Sequence, residues 1–136
     1  MPAKAVIDAV QTRLVANWTE TLIVDYDTTA YPPDDVDAFL VHQYPVVNGA
    51  KPVVDRLFWE EGGIRFVLNV RRGIGLEQGL TWSDELSALF RYSKFDGVET
   101  FETSGPIIDD TTEEGDWISY AIVVRYRYEY TTTLVP

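Results

Sequence analysis

The feature that constrains the fold most is a two-residue alternation of apolar side chains over residues 117–130. The even positions carry Ile118, Tyr120, Ile122, Val124, Tyr126, Tyr128 and Tyr130. The odd positions end in Arg125, Arg127 and Glu129. Because successive side chains of a strand point to opposite faces, the pattern predicts one unusually long strand with a single apolar face. Such a strand needs a sheet that packs on a core through that face.

Two other segments have the spacing of amphipathic helices. In the first, Val6, Val10 and Leu14 recur every four residues, which predicts a helix over residues 3–17. The second is predicted from about residue 77 to 93, and its apolar face is formed by Trp82, Leu86, Leu89 and Phe90. Gly79 weakens the first turn of that helix by about 1 kcal/mol relative to alanine.

Shorter β-branched and aromatic runs predict the remaining strands, at residues 22–26, 39–44, 53–60, 64–72, 98–103 and 107–108. Turn chemistry is expected at 48–52, and Glu60-Glu61-Gly62-Gly63 reads as the tip of a tight hairpin. The order predicts an α+β fold of one domain, 1–136. Its single sheet is expected to be mostly antiparallel, with a mixed sheet as the alternative, and to pack with two main helices.

Composition excludes several classes of function. The chain has 22 acidic and 11 basic residues and a net charge of −11, so it would repel a phosphate backbone instead of gripping it. It has no cysteine, which excludes disulfides, thiolate nucleophiles and cysteine zinc sites. No apolar run approaches the roughly 20 residues that span a bilayer, and the N-terminus lacks a signal-peptide core. A soluble protein with no membrane partner is expected.

No motif predicts catalysis. His42 is the single histidine and could act as a general base, but a strand histidine more commonly faces solvent or a neighbouring side chain. Gly73 and Gly75 begin a dinucleotide fingerprint that fails at Gln78. The acidic clusters at 34–37, 60–61 and 109–116 fall in predicted turns. We therefore expect a non-enzymatic protein with no catalytic residue, no metal and no cofactor.

Two features predict self-association. Tyr126 and Tyr128 end the long strand, and tyrosine is enriched at protein interfaces. The predicted hairpin has an acidic tip at its centre, and basic side chains lie along its arms. The candidate subunit-interface residues are Arg56, Glu60, Glu61, Arg65, Arg71, Arg72, Tyr126 and Tyr128. Opposite charges displaced along one element can meet head to tail in a ring. The alternatives are tyrosines that cap the subunit's own core and a solvated hairpin.

The middle of the chain carries a more specific pattern. Strand 66–70 is followed by Gly73-Ile74-Gly75 and then by Ser83-Asp84-Glu85-Leu86-Ser87-Ala88-Leu89-Phe90-Arg91. This resembles the tail terminator (tail completion) proteins of long-tailed bacteriophages, the lambda-type group, in which a strand and a glycine-broken turn precede such a helix. The order of elements over most of the chain and the closing strand from Trp117 to Tyr130 are similar too. The sequence departs from that pattern in the 27–35 loop and after Tyr44.

The resemblance implies a tail-terminator-like fold and a homo-hexameric ring at the head-proximal end of the tail of a virion, made in the host cytoplasm. Such a ring ends tail-tube polymerisation and offers the surface for head joining. Its partners would be copies of itself, the tail-tube protein and a head-completion or neck protein. DNA would pass through the centre without specific binding, and an acidic lumen would let it slide. The candidate lumen residues are Asp109, Asp110, Glu113 and Glu114, and the Glu60-Glu61 tip is the alternative.

Two other functions fit the sequence. One is another neck or tail-tube ring protein, which would polymerise instead of capping a tube. The other is a small acidic binding or inhibitor module, which would remain monomeric and bind a basic partner. An enzyme ranks third.

Overall fold

The chain forms an α+β fold in which two helices accompany one six-stranded sheet. The computed structural model describes residues 4–19, 21–24, 37–54, 57–73, 76–109 and 117–131. The elements are α1 Lys4–Asn17, β1 Leu22–Val24, β2 Ala38–Val54, β3 Leu57–Arg71, α2 Leu76–Phe90, β4 Lys94–Phe95, β5 Val98–Asp109 and β6 Trp117–Thr131. Both predicted helices are confirmed to within three residues at each end. The 27–35 loop and the 111–116 connection lie outside the described residues.

The sheet is mostly antiparallel, as predicted. Its strand order is β1-β2-β3-β6-β5-β4, and only the pairing of β1 with β2 is parallel. The expected strands at 98–103 and 107–108 are one strand, β5, whose pairing with β6 contains two register shifts. The strand order shows that the pairing of β3 with β6 joins the N-terminal strands β1 and β2 to the C-terminal strands β5 and β4 in one sheet.

The centre of the sheet is the long antiparallel pair of β3 and β6. They pair from Leu57–Thr131 to Arg71–Trp117 without a register shift. The predicted strand at 117–130 is confirmed, and the even-numbered side chains Tyr120, Ile122, Val124 and Tyr126 are buried. The alternation in the sequence therefore reports a strand that buries one face along its length.

The hairpin tip predicted at Glu60–Gly63 is wrong. These four residues lie inside β3, where Glu60 pairs with Tyr128 and Gly63 with Arg125. The turn predicted at 48–52 is also wrong, because β2 continues through it to Val54. Register shifts on either side of Asn48 absorb the irregular sequence as bulges. The chain reverses between Val54 and Leu57, which pair with each other.

Both helices pack on the same face of the sheet. Val10 and Leu14 of α1 and Leu86 and Phe90 of α2 join the even-numbered side chains of β3 and β6 in one buried cluster. Within it, the Phe66 and Phe90 ring centroids are 4.6 Å apart. Burial of this apolar surface supplies the main stabilisation of the fold.

Arg13 links the two helices. Its Nε and Nη2 donate hydrogen bonds to the Leu89 carbonyl oxygen, at 3.0 and 2.8 Å. Its guanidinium also lies 4.9 Å from the ring centroid of Phe95. Helix α2 has no basic residue in its last turn, so Arg13 supplies positive charge where the helix dipole favours it.

His42 is buried with 3% of its surface exposed, and it faces α1. Its Nε2 lies 2.8 Å from Gln11 Oε1 and its Nδ1 lies 3.1 Å from the Tyr44 hydroxyl. A neutral imidazole that donates to Gln11 and accepts from Tyr44 satisfies both contacts. The histidine therefore contacts neighbouring side chains, as a histidine within a strand commonly does.

Gly79 provides a test of the packing of α2 on the sheet. A Cβ at this position would lie 2.2 Å from Cζ of Tyr120. We expect Gly79→Ala to destabilise the fold by about 1–3 kcal/mol, because overpacking outweighs the gain of about 1 kcal/mol in helix propensity. Urea unfolding measures the change. Thr81→Ala, at an exposed site of the same helix, is the control and should be neutral or stabilising by about 0.5 kcal/mol, because alanine has the higher helix propensity. A higher urea midpoint for Gly79→Ala would contradict this packing.

Candidate interaction surface

The two faces of the sheet differ, because both helices cover only one of them. The other face carries the odd-numbered side chains of β3 and β6 and the β2 and β5 residues that pair with them. We call this surface the open face. No helix in the described part of the chain packs against it.

A row of apolar side chains crosses the open face. The register pairs Val41 with Val67, Val67 with Ala121 and Ala121 with Ile107, so four strands contribute to one line. Ile107 ends the row and is 68% exposed. An isoleucine that exposed beside further apolar side chains is typical of a contact surface.

An aromatic pair borders this row. The Phe39 and Trp117 rings are 4.9 Å apart in an edge-to-face arrangement, and Val41 packs against them. The Arg71 guanidinium lies 4.5 Å from the Trp117 ring centroid. In this corner of the open face Phe39 and Trp117 are buried, with 2% and 5% of their surfaces exposed.

Arginine side chains occupy the other half of the open face. Arg125 donates to Glu102 Oε1 at 2.8 Å and lies 5.5 Å from the Phe101 ring centroid. The pKa of the Glu102 carboxyl lies below its usual range. The larger cause is a backbone hydrogen bond, and the second is the hydrogen bond from Arg125.

Arg127 and Arg65 extend the same basic region. Arg127 stacks on Trp59 at 4.7 Å from the ring centroid and bonds to Glu129. Arg65 is exposed and has no ion pair with any described residue. A guanidinium stacked on a ring keeps N–H groups free at its edge, and these groups suit carboxylates.

A groove runs through this arginine-rich half. The groove lies beside Gly62 and Gly63 and has a volume of about 510 Å³. It is lined by Glu61, Gly62, Gly63, Phe101, Val123, Arg125, Tyr126 and Arg127. Aromatic and arginine side chains around an apolar floor are the composition of protein–protein contacts.

The structure places the predicted interface residues in different environments. Arg65 and Glu61 are exposed on the open face, Arg71 stacks on Trp117, and Arg72 is exposed just beyond β3. Tyr128 packs against the main core. Arg56 lies outside the described residues.

Glu60 and Tyr126 are corrections to the predicted interface, because both side chains are buried within the subunit. Tyr126 is 1% exposed and donates a hydrogen bond of 2.7 Å to Glu60 Oε2. Burial and the bonded carboxylate raise the pKa of Tyr126 well above its usual range. Neither side chain is presented to a neighbouring copy by this fold.

Of the predicted lumen residues, Asp109 lies within the described part of the chain. Asp109 ends β5 and pairs with Ser119. Asp110, Glu113 and Glu114 lie outside the described residues.

Sequence reasoning missed the aromatic partners of the arginines. Trp59, Phe101 and Trp117 come from three different strands, and only the register brings each ring to its guanidinium. The sequence did place Arg125 and Arg127 at odd positions of the last strand, on the face opposite the apolar one, but it gave no indication of their ring partners.

No group of three His, Cys, Asp or Glu side chains in the described residues could hold a metal ion. None of the described helices has the length and apolar character needed to cross a bilayer. What the open face can do chemically is contact an acidic, partly apolar surface.

Comparison with known proteins adds no assignment. No protein-family model matches the chain, and a search of curated proteins finds no significant match.

Two buried tyrosines on β6 test the interior polar contact. Tyr126 has a hydrogen-bond partner in Glu60, whereas the Tyr120 hydroxyl has none among the described residues. We expect Tyr126→Phe to lower the free energy of unfolding by about 1–3 kcal/mol, because a buried carboxylate loses a donor. Tyr120→Phe should be neutral or stabilising by up to about 1 kcal/mol. Chemical denaturation at pH 7 compares them, and equal losses would contradict the assignment.

Proposed function

We propose that this protein is a non-enzymatic, structural ring subunit of a long-tailed phage, of the tail terminator type. The ring ends tail-tube polymerisation, joins the tail to the head and surrounds the path of the DNA. The observation that carries the proposal is the open face. It is a sheet surface with an apolar row and stacked arginines, and no described helix of the subunit covers it.

The order of elements supports the same proposal. A helix, a short strand, a long hairpin, a second helix and a closing antiparallel pair follow one another in the order that the resemblance implies. The order differs in two places: the separate strand expected before the hairpin is part of β2, and β4 lies between α2 and the closing pair. The helix at 76–90 contains the quoted motif, and its Leu86 and Phe90 are the residues that face the core. The motif therefore has a packing role that any protein with this arrangement would require.

The net charge of −11 fits a particle through which DNA must slide. A surface without net positive charge gains nothing from releasing counterions, so it does not hold the phosphate backbone. In this proposal the acidic residues 109–116 face the lumen. Replacing Asp109, Asp110, Glu113 and Glu114 by lysine should lower phage infectivity while rings still form. Unchanged infectivity would remove these residues from the lumen.

The solution mass tests the proposal first. We expect light scattering after size exclusion, at moderate salt, to give about six times the subunit mass of 15.5 kDa. Negative-stain images of the same peak should show rings with a central hole. When the protein is added to purified tail tubes, it should bind at one end only.

Other results would favour the other functions. Growth of filaments would indicate a tube protein. A protein that stays monomeric at every concentration and does not bind tube ends would contradict a ring subunit. Tight binding to a basic protein would then indicate an acidic binding module.

A further inference from the structure

A second charged surface lies on the outer side of α2. The helix buries Gly79, Ser83, Leu86 and Phe90. Residues on its opposite side are exposed, and three of them, Glu77, Asp84 and Glu85, are acidic. We call these three residues the acidic stripe. None of them forms an ion pair with a described residue.

The acidic stripe and the open face point in opposite directions. α2 lies on one side of the sheet, and its buried residues contact the even-numbered side chains of β3 and β6. The acidic stripe is on the far side of the helix, and the open face is on the far side of the sheet. The two surfaces cannot meet within one subunit, but they can meet between two copies.

The open face offers arginines to the carboxylates of the acidic stripe, and it also carries the carboxylates of Glu61, Glu102 and Glu129. Arg65 and Arg125 are exposed on the open face, and Asp84 and Glu85 are exposed on the acidic stripe. Arg125 is already paired with Glu102, but both side chains are largely solvated. An exposed pair of this kind is worth only about 0–1 kcal/mol, so it can exchange partners at little cost.

We propose that the acidic stripe of one copy docks on the open face of the next copy. Arg65 and Arg125 receive the carboxylates of Asp84 and Glu85. The helix lies over the groove that Val123 and Arg125 line. This inference rests on the proposed ring, and it identifies which two surfaces of the subunit build that ring.

The contact has a direction, because it joins two different surfaces. Contacts of this head-to-tail kind generate closed rings when the rotation between copies allows closure. A contact of one surface with its own copy would stop at a dimer. The arrangement therefore supplies the geometry that a ring of identical subunits needs.

A second copy fits the open face better than a nucleic acid does. The arginines could contact phosphates, but the whole subunit carries a net charge of −11 and repels a polyanion. Copies repel each other as well, yet this repulsion is screened beyond about 8–10 Å at 0.1–0.15 M salt, whereas the local pairs persist. The contact should consequently form more readily at moderate salt than at very low salt.

Charge exchange between the two surfaces tests the contact. One variant, Arg65→Glu with Arg125→Glu, reverses the open face, and the other, Asp84→Arg with Glu85→Arg, reverses the acidic stripe. Each alone should weaken self-association at least tenfold in sedimentation velocity, since like charges then face each other. An equimolar mixture of the two variants should reassemble, because each reversed surface meets an opposite charge on the other variant. The chain that carries all four substitutions should reassemble for the same reason.

Matched controls separate this effect from net charge and misfolding. Lys4→Glu with Thr12→Glu and Thr19→Glu changes the net charge as the open-face variant does, and Asp8→Lys with Thr12→Lys and Thr19→Lys changes it as the stripe variant does. These four positions are exposed and lie in or just after α1, outside both surfaces. The control variants should assemble like the wild type, and circular dichroism should show every variant folded.

Three results would overturn the inference. If wild-type rings form and neither reversal changes their mass, the contact is wrong while the proposed ring stands. If both reversals weaken assembly but neither the mixture nor the four-fold variant restores it, the two surfaces do not meet each other. If the wild type forms no ring and binds no tube end, the contact and the proposed function both fail.

Discussion

The rest of the structure depends on the antiparallel pairing of β3 with β6. These strands pair over their whole length without a register shift, whereas β2 and β5 on either side both join them through shifts. A slip of one residue would move every buried side chain of a strand to the opposite face. The uninterrupted pair therefore decides which side chains, from Ile64 to Val70 and from Tyr120 to Tyr126, form the core. It also decides which side chains are left for the open face.

The helices turn this two-faced sheet into a subunit with two different outer surfaces. Both helices pack on the even-numbered face, and Arg13 holds them together by bonding to the end of α2. The polar contacts within the subunit, His42 with Gln11 and Tyr126 with Glu60, lie on this covered side. The other side keeps its arginines and its apolar row. A two-layer subunit with the acidic stripe on the helix layer and exposed arginines on the sheet layer presents two different surfaces, as directional assembly requires.

The sequence predicted the elements whose pattern is local and missed those decided by distant pairing. The alternation over 117–130 and the four-residue spacing of Val6, Val10 and Leu14 each identify one element, and both were confirmed. Glu60–Gly63 has turn residues, but pairing with β6 on one side and β2 on the other keeps it extended. Val54 and Leu57 pair with each other, and the two residues between them in the sequence, Asp55 and Arg56, include no glycine or asparagine.

The candidate surface was predictable only in part. Arg65 was anticipated, but Tyr126 was expected outside and lies inside, because a tyrosine pattern does not distinguish a core face from an interface. The stacking of Arg125 on Phe101 and Arg127 on Trp59 requires the strand register, which the sequence does not contain. The outer charges of α2 were visible, whereas their opposition to the open face became apparent only from the packing of the layers.

Cross-linking in a chain without native cysteines tests directly whether copies meet head to tail in a closed ring. A variant with Ser104→Cys on the open face and Ala88→Cys on the outer side of α2 would be treated with a short reagent that joins two thiols. A closed ring of face-to-stripe contacts predicts a ladder of covalent oligomers that ends at one species without free thiols. Each single-cysteine variant should stay uncross-linked. Dimers from a single-cysteine variant, or no ladder from the double variant under conditions where it assembles, would contradict head-to-tail assembly.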